Sequence, residues 1–171
     1  MKPFSKLFVT ALLLAFVSTA FSGESKWHTD YAKALEEAKA QNKVVLLDFT
    51  GSDWCGWCMK LKDESLDKPA FKHYAQNNLV LVEVDFPHNK SQQEKVKEQN
   101  QQLAKQFNVH GYPCLVLIDK DQKVLGRQGG YLAGGPSALI AKLNTFYTPA
   151  PTTSGVKPGS DFDSFFKKPN P

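Results

Sequence analysis

Apolar and polar positions change period several times along the chain, and each change marks an element. Tyr31, Ala34, Leu35 and Ala38 fall at helical spacing behind Thr29-Asp30, a pair suited to capping, so a helix is expected from Tyr31 to about Asn42. Lys43-Val44-Val45-Leu46-Leu47-Asp48-Phe49 is a nearly continuous apolar run, the pattern of a strand buried on both faces. Met59 to Leu66 reads as a second helix, which Pro69 is expected to break or kink. Leu79 to Phe86 is a second strand. Between Asn89 and Phe107 Gln and Lys dominate, yet Val96, Asn100, Leu103, Ala104 and Phe107 keep one stripe, as on a mostly solvated helix. Cys114 to Asp119 is a third strand, and Lys120-Asp121-Gln122 turns the chain into a fourth, Lys123 to Gly126, expected to run antiparallel. Gly134-Gly135-Pro136 opens a last helix with Leu139, Ile140, Leu143, Phe146 and Tyr147 as its stripe. The order α-β-α-β-α-β-β-α predicts an α/β fold, because right-handed crossovers place helices on both faces of a central mixed sheet.

The two ends fall outside this pattern. Lys2 and Lys6 precede the apolar run Leu7 to Val17, and small residues follow. That order is the one expected of a secretory signal peptide over residues 1–22, with cuts after Ala20 or Ser22 both allowed. The run is shorter than the roughly 20 apolar residues of a spanning helix, which argues against a retained anchor. A periplasmic or secreted location is therefore expected. Residues 23–148 form the expected domain. Residues 149–171, rich in Pro, Ser, Thr, Gly and Lys with scattered Phe162, Phe165 and Phe166, read as a flexible tail.

Charge narrows the choice of partners. Lys2 and Lys6 carry half of the formal net charge of +4, so the exported chain is only weakly basic. It has no Lys/Arg stripe interleaved with aromatics, and nucleic-acid binding is not expected.

Cysteine usage points to chemistry. The chain has three cysteines, an odd count for an exported protein that would pair its structural thiols. Cys55 and Cys58 close too short a loop to stabilise much by loop entropy, so a purely structural disulfide explains little. A disulfide-exchange catalyst needs one thiol ionised near neutral pH and a second able to attack the mixed disulfide. Cys55 stands at the predicted start of a helix, where free N–H groups and the positive dipole end favour a thiolate. Cys58 is one turn on, within reach of the Cys55 sulfur. Cys55 is thus expected to attack and Cys58 to resolve.

A second signal is Val109-His110-Gly111-Tyr112-Pro113, where Pro precedes an apolar strand and marks a strand start or a special peptide bond. Together, Trp54-Cys55-Gly56-Trp57-Cys58, this proline and the strand pattern resemble the thioredoxin-like superfamily over about residues 27–147. The resemblance implies a thioredoxin-like fold with Pro113 in cis, and the Tyr112 backbone pairing with a substrate strand. More narrowly, Gly51-Ser52-Asp53-Trp54-Cys55-x-Trp57-Cys58-x-Lys60 resembles a group of exported bacterial thioredoxin-like disulfide reductases and isomerases. That likeness implies a protein-disulfide reductase or isomerase needing no cofactor. Asp48 resembles the family's buried proton-shuttling Asp, and its other reading is a hydrogen-bonded strand residue. Gly-Trp replaces the family's usual Gly-Pro between the cysteines. Trp57, displayed between the cysteines, is expected at the rim of a substrate site with Tyr112 and Pro113, and Trp54 to pack. Cys114, where the family usually has Thr, is expected to be buried and inert, against the alternative of exchange with the active-site pair.

Other classes fit less well. Cys55 and Cys58 have zinc-ligand spacing, but no second close pair or HxxxH follows, so no metal is expected. His28, His73, His88 and His110 are scattered, which disfavours a Cys–His hydrolase. A dithiol oxidase of the same fold and a non-catalytic binding module stay open. The expected partners are exported proteins bearing disulfides or thiols and a membrane or soluble redox partner, met by a monomer.

Overall fold

A computed structural model describes residues 26–149. The expected signal peptide and all of the expected tail except Pro149 lie outside them. The elements run β1 Trp27–His28, α1 Tyr31–Gln41, β2 Val44–Thr50, α2 Gly56–Leu61, α3 Pro69–Asn78, β3 Leu79–Asp85, α4 Glu94–Gln106, β4 Cys114–Ile118, β5 Val124–Gly129 and α5 Gly135–Asn144. A single π turn over Lys62–Leu66 continues α2.

Two elements escape the hydrophobic pattern. β1 is two residues long, too short to show a period, and exists by parallel pairing of Trp27 and His28 with Leu81 and Val82 of β3. α3 follows the break at Pro69, which does more than stop the preceding helix. Its fixed φ suits a first helical turn, and it starts a new one. Elsewhere capping chemistry sets the ends: Asp30 caps α1 by accepting from the Lys33 N–H at 3.2 Å, and Asn42 ends it in the left-handed conformation.

The sheet order is β1-β3-β2-β4-β5. β2 and β3 are parallel, while β4 runs antiparallel to β2 and β5 antiparallel to β4. The pleat sorts the apolar runs into two cores. Val45, Leu47, Phe49, Val80, Val82, Val84, Cys114 and Val116 face α1 and α4, packing on Ala34, Ala38, Leu103 and Phe107. Leu46, Leu81, Leu115 and Leu117 face α2, α3 and α5, packing on Leu61, Phe71, Ala75, Leu139 and Leu143. Helices on both faces of a mixed five-stranded sheet are the α/β architecture expected from the element order. Phe49 pairs with Cys114, so the end of β2 and the start of β4 lie side by side in the middle of the sheet, at one end of its strands. The cysteine loop leaves the first and Pro113 enters the second.

Candidate active site

After Thr50 the chain turns on the Gly51 carbonyl, which accepts from the N–H groups of Trp54 at 3.3 Å and Cys55 at 2.9 Å. Cys55 is then the N-cap of α2, extended in backbone, and its Sγ accepts the Cys58 N–H at 3.2 Å. Cys55 and Cys58 are joined in a disulfide with their Cα atoms 5.2 Å apart. Both are buried, Cys58 the more deeply, with 3% of its surface exposed against 7% for Cys55. The more exposed cysteine is thus the one at the helix terminus.

Polar residues ahead of the pair anchor this loop, and their work was not legible in the sequence. Ser52 donates its N–H and hydroxyl to the two oxygens of Asp85, at 2.8 and 2.6 Å. Asp53 accepts three backbone N–H groups, from His88, Asn89 and Lys90, at 2.9, 2.7 and 3.1 Å. The His88 bond leads these in holding the Asp53 carboxyl below its ordinary range. Trp54 donates its indole N–H to the Phe86 carbonyl at 2.7 Å and stacks on His88 with ring centres 4.4 Å apart. It also lies on Gly51, where a Cβ would meet the indole at 2.5 Å. Trp54 is therefore held by Phe86, His88 and Gly51 while 40% exposed, so the expected packing is on a loop surface and not in a core. The contacts join segments more than thirty residues apart, and a Ser-Asp pair before a CxxC was the one signal for them.

Trp57 is 59% exposed and leans on Tyr131 with ring centres 5.4 Å apart. The Lys60 ammonium lies 5.3 Å from the Trp57 ring and 5.0 Å from that of Tyr131. The Tyr131 hydroxyl donates to Glu64. Trp57, Tyr112, Pro113, Gly130 and Tyr131 line one groove of about 300 Å³. The Tyr112–Pro113 bond is cis. Of these residues Tyr131 was missed, because a lone Tyr between glycine-rich turns carries no sequence signal.

Asp48 projects toward the α2 face, since its neighbours Leu47 and Phe49 belong to the α1–α4 core. It is buried, and its Oδ1 has no hydrogen-bond partner among the described residues. It shares with Cys58, Thr50, Lys62 and Glu83 a cavity of about 210 Å³. Burial, and next the Glu83 carboxylate, push its pKa up to about 7. The arrangement sets an acid poised near neutral pH at one cavity with Cys58, where the two can exchange a proton once the disulfide is reduced. Cys114 is free and packs in the α1–α4 core, across the sheet from α2, with burial pushing its thiol pKa up. Among the described residues no group of three or more His, Cys, Asp and Glu is placed to hold a metal ion.

Comparison with known proteins bears on this geometry directly. The model of the thioredoxin-like domain family matches residues 31–147. The chain is 44% identical over 120 residues to the disulfide bond reductase DsbH of Chlamydia pneumoniae, covering 70% of this chain and 71% of that protein. It is 33% identical over 132 residues to the thioredoxin-related protein DsbJ of the same organism, covering 74% of this chain and 38% of DsbJ. A solved structure of a DsbH oxidoreductase superposes with a TM-score of 0.68 at 39% identity, covering 80% of this chain and 94% of that one. A cysteine pair capping a helix, a cis-proline at the neighbouring strand and these likenesses agree: the chain belongs to the thioredoxin-like family, and its chemistry is thiol–disulfide exchange with thiol- and disulfide-bearing partners.

Proposed function

We propose that this chain reduces disulfides of exported proteins, with Cys55 as nucleophile and Cys58 as resolving thiol. In the reduced form the Cys55 thiolate, facing the first N–H groups of α2, attacks one sulfur of a substrate disulfide and the other leaves as thiolate. Cys58 then gives its proton to Asp48 and attacks Cys55 Sγ. The Cys55–Cys58 bond forms, and the second substrate thiolate leaves. Two electrons have passed from the dithiol to the substrate, so a thiol donor, a membrane or soluble redox partner, must restore the pair. Trp57, Tyr112 and Pro113 form the wall against which the substrate segment lies.

The observation that carries this reading is the buried Asp48 carboxyl, one oxygen of which has no hydrogen-bond partner among the described residues, at the cavity it shares with the buried Cys58, since the resolving thiol needs a base within reach. The direction rests on two supports. The relative DsbH is named a disulfide bond reductase. No cationic side chain stands between the cysteines, and Lys60 is engaged with two rings and with Glu64 at 3.9 Å. The Cys55 thiolate thus gains little beyond the helix terminus, and a reduced form without extra stabilisation makes a reductant. The leader-like pattern of residues 1–22 supports work in the periplasm or outside the cell, by the domain 23–148.

Equilibration in graded glutathione buffers, with thiol trapping and mass spectrometry, tests the direction. A potential near or below about −250 mV is expected, and one near about −120 mV would mark an oxidant instead. Cys58→Ser tests the roles: it should accumulate mixed disulfides through Cys55, and adding Cys55→Ser should abolish them.

A further inference from the structure

Asp48 does not stand alone in its cavity. Its cross-strand neighbour in β3 is Glu83. Lys62, first residue of the π turn, brings its Nζ to 3.6 Å from Glu83 Oε1. Both line the cavity that holds Asp48 and Cys58. The side chains of the pair are 52% and 29% exposed, so it stands where the cavity meets solvent, with the acid and the thiol beneath it.

A half-exposed pair of this kind adds little to stability. Its position gives it another use. Asp48 Oδ1 has no hydrogen-bond partner among the described residues, so burial first, and nearby charges after it, decide where that carboxyl ionises. The two members of the pair act on it with opposite sign, Glu83 opposing ionisation and Lys62 favouring it. The other groups around Asp48 are otherwise engaged. Asp85 of β3 also opposes ionisation but is bound by Ser52. Lys90 lines the cavity from the loop after β3 and reaches the Ser52 hydroxyl at 3.3 Å. On β4, Asp48 pairs with the uncharged Leu115, and the Cys114 thiol is held neutral by burial. Arg127 of β5 donates to the Phe107 and Asn108 carbonyls.

We propose that Lys62 and Glu83 are positioning residues for the proton that leaves Cys58, with Lys62 drawing charge onto Asp48 and Glu83 opposing it. The inference rests on the resolving roles given above to Cys58 and Asp48. In that step the Cys58 S–H proton passes to the Asp48 carboxylate. The electron pair left on sulfur makes the bond to Cys55 Sγ, and the substrate sulfur departs with the electrons of the broken bond. Asp48 accepts the proton only when ionised, so the balance of the pair fixes the pH at which resolution switches on.

The test uses the full chain with Lys62→Met, Lys62→Arg and Glu83→Gln, each alone and with Asp48→Asn. Reaction of the reduced protein with a symmetric chromogenic disulfide releases one thiolate on attack by Cys55 and a second on attack by Cys58. The second is followed from about pH 5 to 9. Lys62→Met should move the inflection up by roughly one pH unit and Glu83→Gln down by a similar amount. Lys62→Arg should keep the parent profile, and with Asp48→Asn neither shift should remain. Loss of a merely structural pair would move both variants the same way. Shifts of one sign, no shift, or shifts that persist with Asp48→Asn would overturn the inference while leaving the reductase reading in place. An unchanged profile in Asp48→Asn alone would instead remove the proton-shuttle role, and this inference with it.

Discussion

The Asp48 carboxyl ionises at very different pH in the folded and unfolded chain. Burial raises its folded pKa to about 7 from an ordinary value of 3.8. Between those values the unfolded chain has released the proton and the folded chain holds it, so the group's contribution to stability falls as pH rises. Below the ordinary value the penalty vanishes. Asp48→Asn should therefore be more stable than the parent at pH 8 by up to roughly 4 kcal/mol in the oxidised form, the gap closing toward pH 4. Denaturant midpoints across that range measure it, and a gap that widened toward acid would refute the assignment. The sequence singled out Asp48 only through its resemblance to the buried acid of the thioredoxin-like family. What the sequence did not show was whether a partner satisfied it, since partners come from elements distant along the chain.

At the scale of elements, the cysteine loop is held by the chain that follows β3. Asp53 joins them through three backbone N–H bonds, and Trp54 closes over Gly51 and His88. Asp53→Ala should speed amide exchange at His88, Asn89 and Lys90 by about tenfold or more, with little change at the core strands. Because Asp53 has a lowered pKa, its bonds persist above the ordinary carboxylate range and are lost as pH falls below it. Exchange in the parent should thus approach that of the variant only in acid. Gly51→Ala should displace Trp54 and loosen the same loop, read as a change in tryptophan fluorescence. The four main strands and the helices α1, α4 and α5 were legible because each carries its own apolar period. α3 was not, since Pro69 reads as a stop until the backbone shows it starting a helix. The loop junction was not legible either. Ser52 and Asp53 look like ordinary turn residues, and only the sheet order brings the end of β2 beside the end of β3.

For the molecule as a whole, redox state and folding stability are two sides of one cycle. The difference in stability between oxidised and reduced forms equals the difference in potential of the cysteine pair between folded and unfolded chains, about 1.4 kcal/mol for each 30 mV. In the folded chain both cysteines are buried and their Cα atoms are held 5.2 Å apart, a spacing that suits a disulfide, whereas the unfolded chain must find it by closing a loop. The fold should accordingly favour the disulfide, and the oxidised form should melt above the reduced one. At about 2–8 °C for each kcal/mol, a difference of a few kcal/mol is visible in paired calorimetric scans with and without a dithiol. A reduced form that melted higher would mean that the fold holds the dithiol more tightly than the disulfide. That is the signature of an oxidant, and it would reverse the direction of electron flow proposed for Cys55 and Cys58.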